Sequence, residues 1–216
     1  MSVSDRLLRW IFSDISLGLV IPLIFGVLII AFPTVIADFA ATIHISLPSW
    51  AWGGLEIPLE FILTFGVAQG MLSCGIPIFL GLAWNRWAGG ATGFLLSLLY
   101  TVSMGVYWGQ YFVPSVDWLG VIVSGMLAGY IAGALMTRSR MKGSTSLKSM
   151  FFAGLVAAIV AIVFTTQTYI WYAPMFETPG MTYFDSVTFN YFVNIVIYGV
   201  WTILAVIVAK VSTWFR

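Results

Sequence analysis

Apolar residues in this chain gather into six long runs, at about residues 17–37, 59–83, 91–113, 118–137, 150–172 and 190–211, with most polar residues left to the separators. Each run is close to ~20 residues, which at 1.5 Å per helical residue crosses a hydrocarbon core of about 30 Å. The separators differ in kind: "ATIHISLPSWAWGGLEIP", the tight "NRWAGG", "PSVD", the basic "RSRMKGSTSLKS" and "APMFETPGMTYFDSVTF". No polar stretch is long enough to enclose a core of its own. The pattern predicts an all-α polytopic membrane protein, one integral membrane domain over residues 1–216 built as a bundle of six transmembrane helices.

Composition agrees, with 61% hydrophobic and 8% charged residues and a mean hydropathy of +1.01. Soluble domains carry roughly a quarter charged residues. A net charge of +1 gives no global attraction to nucleic acid or acidic partners. The single cysteine, Cys74, excludes an intramolecular disulfide and multi-cysteine redox or metal frameworks. The single histidine, His44, excludes a bis-histidine metal or haem motif, and a lone loop histidine is expected at the surface.

Charge distribution sets a direction. Arg6, Arg9, Arg86, Arg138, Arg140, Lys142, Lys148, Lys210 and Arg216 all fall on one side of the six-run map. Nine independent charges would do so about once in 250 trials, so the positive-inside rule predicts cytoplasmic amino and carboxyl ends. Asp38, Glu56, Asp117, Glu177 and Asp185 fall outside, and Asp5 and Asp14 inside. Trp10, Trp84, Trp87 and Trp214 sit at the inner boundary of this map, and Trp50, Trp52, Trp108, Trp118 and Trp171 at the outer one, where amphipathic rings are favoured. The first run exceeds a signal-peptide core and lacks a clean A-x-A site, so an uncleaved anchor in the cell membrane is expected.

Gly125, Gly129 and Gly133 recur every four residues along one face of the fourth run, and Ala153, Ala157 and Ala161 repeat the interval in the fifth. Small residues let helix backbones approach closely in lipid, where burial of apolar side chains gains little. The expectation is antiparallel packing of runs four and five through these stripes. A homo-oligomer contact, a membrane-protein partner or a pore-lining face is the alternative. Pro22 and Pro77 each remove a backbone donor and are expected to kink their helices.

A search for chemistry finds no H-E-x-x-H, G-x-S-x-G, C-x-x-C, Walker or dinucleotide motif. No enzyme activity and no cofactor are therefore expected. Glu60, Gln69, Tyr107, Gln110, Gln167, Tyr169, Asn194 and Tyr198 lie within runs two, three, five and six, mostly in their outer halves. Polar groups in hydrocarbon face the bundle interior, pair together or line a wet cavity. A shallow outward-facing pocket formed by Glu60, Gln69, Tyr107, Gln110, Gln167 and Asn194 is the expectation, against interhelical hydrogen bonding without a ligand. Glu60 is also placed to be a solvated residue at a helix start. No run centre carries a charge, which argues against proton relays and voltage sensing. The aromatic outer separators are expected to fold back as a lid.

Two functions fit. The first is a small-solute transporter, channel or substrate-capturing membrane subunit. The second is a non-catalytic structural or assembly subunit of a larger membrane complex. The discriminating feature is a polar cavity reaching Gln69, as against a dry interior with the polar groups paired off.

Overall fold

A computed structural model describes residues 15, 19–35, 39–40, 42–46, 56–107, 116–141, 146–172 and 183–214. Helix α1 is Ile21–Val35. Two short strands follow, β1 (His44–Ser46) and β2 (Glu56–Pro58). Helix α2 is composite, with α-helical Leu59–Phe61, π-helical Ile62–Gln69 and Met71–Gly75, and α-helical Ile76–Ala83. Then come α3 (Arg86–Tyr107), α4 (Val116–Met141), α5 (Leu147–Tyr172) and α6 (Tyr183–Trp214).

The helices α2 to α6 are long and apolar enough to cross a membrane, and α1 is a shorter apolar helix. The molecule is thus an all-α membrane-type bundle of five long helices and a shorter one. Its surface fits hydrocarbon, because α5 and α6 expose rows such as Phe152, Ile159, Val163, Ile195, Ile203 and Ile207. In water such rows would be an aggregation hazard.

One element departs from the expected loop between the first two runs. Strands β1 and β2 pair antiparallel with Ile45 opposite Ile57 and His44 opposite Pro58. The backbone N–H of Leu59 donates to Ile43 O at 2.8 Å, tying the ribbon to the start of α2. Ribbon pairing satisfies backbone groups that an open segment over an apolar bundle would leave to water.

The α2–α3 turn is built by Asn85, whose Oδ1 accepts the backbone N–H groups of Trp87 and Ala88, each at 2.9 Å. That is an N-cap, which satisfies donors the helix cannot. Arg86 lies 5.4 Å from the Trp87 ring and 5.7 Å from the Tyr130 ring of α4, a cation–π contact at this end of the bundle. Ser146 caps α5 in the same manner, accepting Ser149 N–H at 3.2 Å.

The expected kinks take another form. Pro22 is preceded by π-helical residues 19 and 20, and Pro77 by the π-helical Met71–Gly75 segment. The α register restarts at Ile76, so Pro77 lies in the first turn, where its missing N–H costs nothing. The chain meets proline by widening the preceding helix.

The glycine stripe of α4 has a different partner from the one expected. A Cβ on Gly125 would meet Gly93 O and Ser97 Oγ of α3. One on Gly129 would meet the Gly89 backbone, and one on Gly133 the backbone of Asn85 and Arg86. Gly81 at the end of α2 completes the contact against Gly129 and Gly133. The alanines Ala153, Ala157 and Ala161 of α5 are buried instead in a cluster with Ala128, Ala132 and Met136 of α4. At 100° per residue these α4 positions lie about 60° from the glycines, so α4 turns one small-residue face to α3 and another to α5. The short basic connection does make α4 and α5 neighbours, but the α4 glycines pack on α3 and the end of α2 instead of on the α5 alanines.

Candidate functional site

At the centre of the bundle, Gln69 of α2 meets Tyr198 of α6 and Tyr100 of α3. Gln69 Nε2 donates to the Tyr198 hydroxyl at 3.4 Å, and the Tyr100 hydroxyl donates to Gln69 Oε1 at 3.5 Å. Thr165 Oγ1 of α5 is 3.3 Å from the same Tyr198 hydroxyl, and Ser124 of α4 stands beside it. Tyr198 is fully buried, and Gln69 is 7% exposed. One helical turn along α6, Cys74 Sγ lies 3.5 Å from Thr202 Oγ1. A second set sits one turn the other way, where Asn194 Nδ2 donates to Thr166 Oγ1 at 3.1 Å and to Asn190 Oδ1 at 2.8 Å.

These distances separate the two sets. Asn194 makes bonds of ordinary length, whereas those around Gln69 exceed the usual 2.9–3.0 Å for N–H donors and 2.7–2.8 Å for hydroxyls. An amide has two donor hydrogens and an acceptor oxygen with two lone pairs, so Gln69 retains unused capacity. The hydroxyls of Ser73 and Ser97 are buried with no hydrogen-bond partner among the described residues. Ser73 lies one turn beyond Gln69, and Ser97 one turn before Tyr100. A buried orphan hydroxyl costs about 1–3 kcal/mol in desolvation, and these two lie on the helices that carry Gln69 and Tyr100, Ser97 turned toward Gly125 in the α3–α4 seam.

The π register is what shapes this side of α2. Gly70 and Gly75 both face the Trp201 ring of α6, and Trp201 Nε1 donates to Gly66 O at 2.7 Å. In an α-helix, Gly70 and Gly75 would point about 140° apart, at 100° per residue. With roughly 4.4 residues per π turn they come within about 50°, so one indole covers both. Gln69, on the same widened segment, is carried toward Tyr198. Among the described residues no group of three acidic, histidine or cysteine side chains is arranged to hold a metal ion.

Of the residues expected to form an outward pocket, the structure brings Gln69 into the central set and Asn194 into the neighbouring one. Glu60 is half-buried at the start of α2, where its carbonyl accepts Thr64 Oγ1 at 2.8 Å. Gln167 is half-buried and belongs to neither set. Tyr107 is the last residue of α3. Its side chain, with Gln110 and the separators 47–55, 108–115 and 173–182, lies outside the described residues. Sequence reasoning missed Tyr100, Thr165 and Thr166. Tyr100 carried a usable signal, since a tyrosine in mid-run "SLLYTVS" lies far from either interfacial belt. No protein-family model, curated protein or solved structure matches this chain, so its function has to be read from its own residues.

Proposed function

We propose that the protein is a small-solute transporter, channel or substrate-capturing membrane subunit of the cell membrane, with Gln69 at the heart of its solute site. The observation that carries this reading is the under-bonded amide: Gln69, buried among three helices, is held by only two bonds of 3.4 and 3.5 Å. A purely structural network would be expected to close its bonds, as the Asn194 set does. The π-helical register around Gln69 points the same way, because such turns gather at functional sites. The centre carries no formal charge, which suits an uncharged, hydrogen-bonding solute.

The competing reading, an assembly subunit, is favoured by the near-complete burial of these groups. Purification in mild detergent with mass analysis of everything retained separates the two. A small molecule retained by the parent and lost in Gln69→Leu is expected. A stoichiometric protein partner with no small molecule would replace the transport reading by the assembly one.

The proposed topology keeps both termini and the basic α4–α5 connection in the cytoplasm. Cys74 is fully buried, so a cysteine introduced elsewhere reports over a silent background. Ser144→Cys should react with an impermeant maleimide only after cells are opened, and Ser49→Cys in intact cells. The reverse pattern would invert the topology.

A further inference from the structure

Beside the polar centre, on the outside of the same α2–α6 seam, lies an apolar crevice of about 190 Å³. Its walls include Met71, Gly75, Phe79, Trp201, Leu204 and Val208. Leu204 and Val208 are 42% and 51% exposed on the face of α6 that meets hydrocarbon. The crevice therefore opens sideways into the bilayer. Its inner wall is the Trp201 indole, seated over Gly70 and Gly75 and bonded to Gly66 O. Gln69 and Cys74 directly precede Gly70 and Gly75 on α2, and their partners Tyr198 and Thr202 flank Trp201 on α6.

An apolar slot that opens on lipid and ends one side chain short of neutral donors and acceptors complements one class of molecule. Building on the solute-site reading above, we infer that the solute is a neutral amphiphile taken from the bilayer, with its apolar chain in the Met71–Val208 crevice and its uncharged hydrogen-bonding head at Gln69 and Tyr198 once Trp201 swings aside. A charged head is disfavoured, because the centre has no counter-charge and burying an unpaired charge is costly. A chain without a head would gain little over bulk lipid, since crevice and bilayer are equally apolar. Selectivity then comes from the head and location from the chain.

The test uses the full-length protein in phosphatidylcholine nanodiscs and three photoreactive probes with the same diazirine-bearing chain: a monoacylglycerol, a plain alkane and a fatty acid. Adducts are mapped by mass spectrometry. The monoacylglycerol should mark residues 71–79 and 201–208 at least about fivefold more than the lipid-facing row Phe152–Val163 of α5, the size expected for one or two hydrogen bonds to the head. The alkane and the fatty acid should mark both surfaces alike. Gln69→Leu should reduce the monoacylglycerol to the alkane pattern, and Val208→Trp, a change on the lipid-facing rim, should block the crevice for it. Even marking by the monoacylglycerol, equal enrichment of the alkane, or indifference to Gln69→Leu in protein that elutes as folded would each overturn the inference. If a water-soluble molecule is meanwhile retained in a Gln69-dependent manner, the amphiphile assignment falls and the solute-site reading stands. Retention of a protein partner alone removes both.

Discussion

Gly129→Leu is expected to leave almost no monodisperse protein in detergent, while Gly199→Ala elutes and melts at least as well as the parent. The contrast follows from what each added Cβ would meet. At Gly129 it would run into the Gly89 backbone, and Gly89 is itself pressed against Gly81, so the obstacle cannot retreat by a rotamer change. A Cβ added at Gly199 would meet no atom of another described element within 4 Å. Overpacking against movable side chains typically costs 1–3 kcal/mol, and forcing two backbones apart along a seam costs more. Gly93 and Gly125 oppose each other one turn away, so separation at Gly129 propagates along α3 and α4. A loss of about 3 kcal/mol corresponds to roughly 6–12 °C in melting temperature for a chain of this size, enough to empty the folded peak of a marginal membrane protein. At Gly199 the change removes a glycine from a helix interior and should gain up to about 1 kcal/mol. The assay is fluorescence-detected gel filtration with a thermal ramp. A normal melting curve for Gly129→Leu would mean that the α3–α4 seam is looser than these contacts imply.

That seam also marks how far the sequence could be read. Five of the six apolar runs became long helices because length and hydropathy alone specify a span in lipid. The stripe Gly125, Gly129 and Gly133 was legible as a packing face, since its spacing is a property of one helix. Its partner was not legible, because a helix with two small-residue faces 60° apart offers two seams and only the three-dimensional bundle chooses. The matching interval Gly89 to Gly93 in α3 was the available clue. The π register of α2 was less accessible still. At 3.6 residues per turn Gly66 and Gly70 share a face but Gly75 lies about 140° from Gly70, and their common purpose appears only once Trp201 is laid over them. Gln69 and Tyr198 stand out as polar residues in apolar runs, and Tyr100 does so by its distance from either interface, whereas Thr165, which bonds Tyr198, is of a type that membrane helices often carry for packing alone.

Gln69→Leu should abolish retention of the solute while leaving the protein folded, and adding Tyr100→Phe should restore stability without restoring retention. In the single variant the Tyr100 hydroxyl loses its acceptor and Tyr198 keeps Thr165 and Ser124. Interhelical side-chain bonds in membranes average about 0.6 kcal/mol and reach about 1.7, so the loss is a few degrees of melting temperature rather than unfolding. Replacing both partners by apolar groups removes the orphan as well as the bond, which is close to neutral. Retention behaves differently, because it depends on the amide itself. Two hydrogen bonds from Gln69 to a neutral head, at about 0.5–1.5 kcal/mol each, correspond to roughly five- to 150-fold in affinity. Stability therefore recovers between the single and the double variant while retention stays lost, and a folding defect alone cannot produce that pattern. Should retention return with stability in Gln69→Leu/Tyr100→Phe, the amide would be a packing element, and the solute would have to be sought at the mouth of the bundle near Glu60 and Gln167. Asn194→Leu provides the internal comparison: it breaks bonds of 2.8 and 3.1 Å within a closed set. It should cost more stability than Gln69→Leu and change retention less.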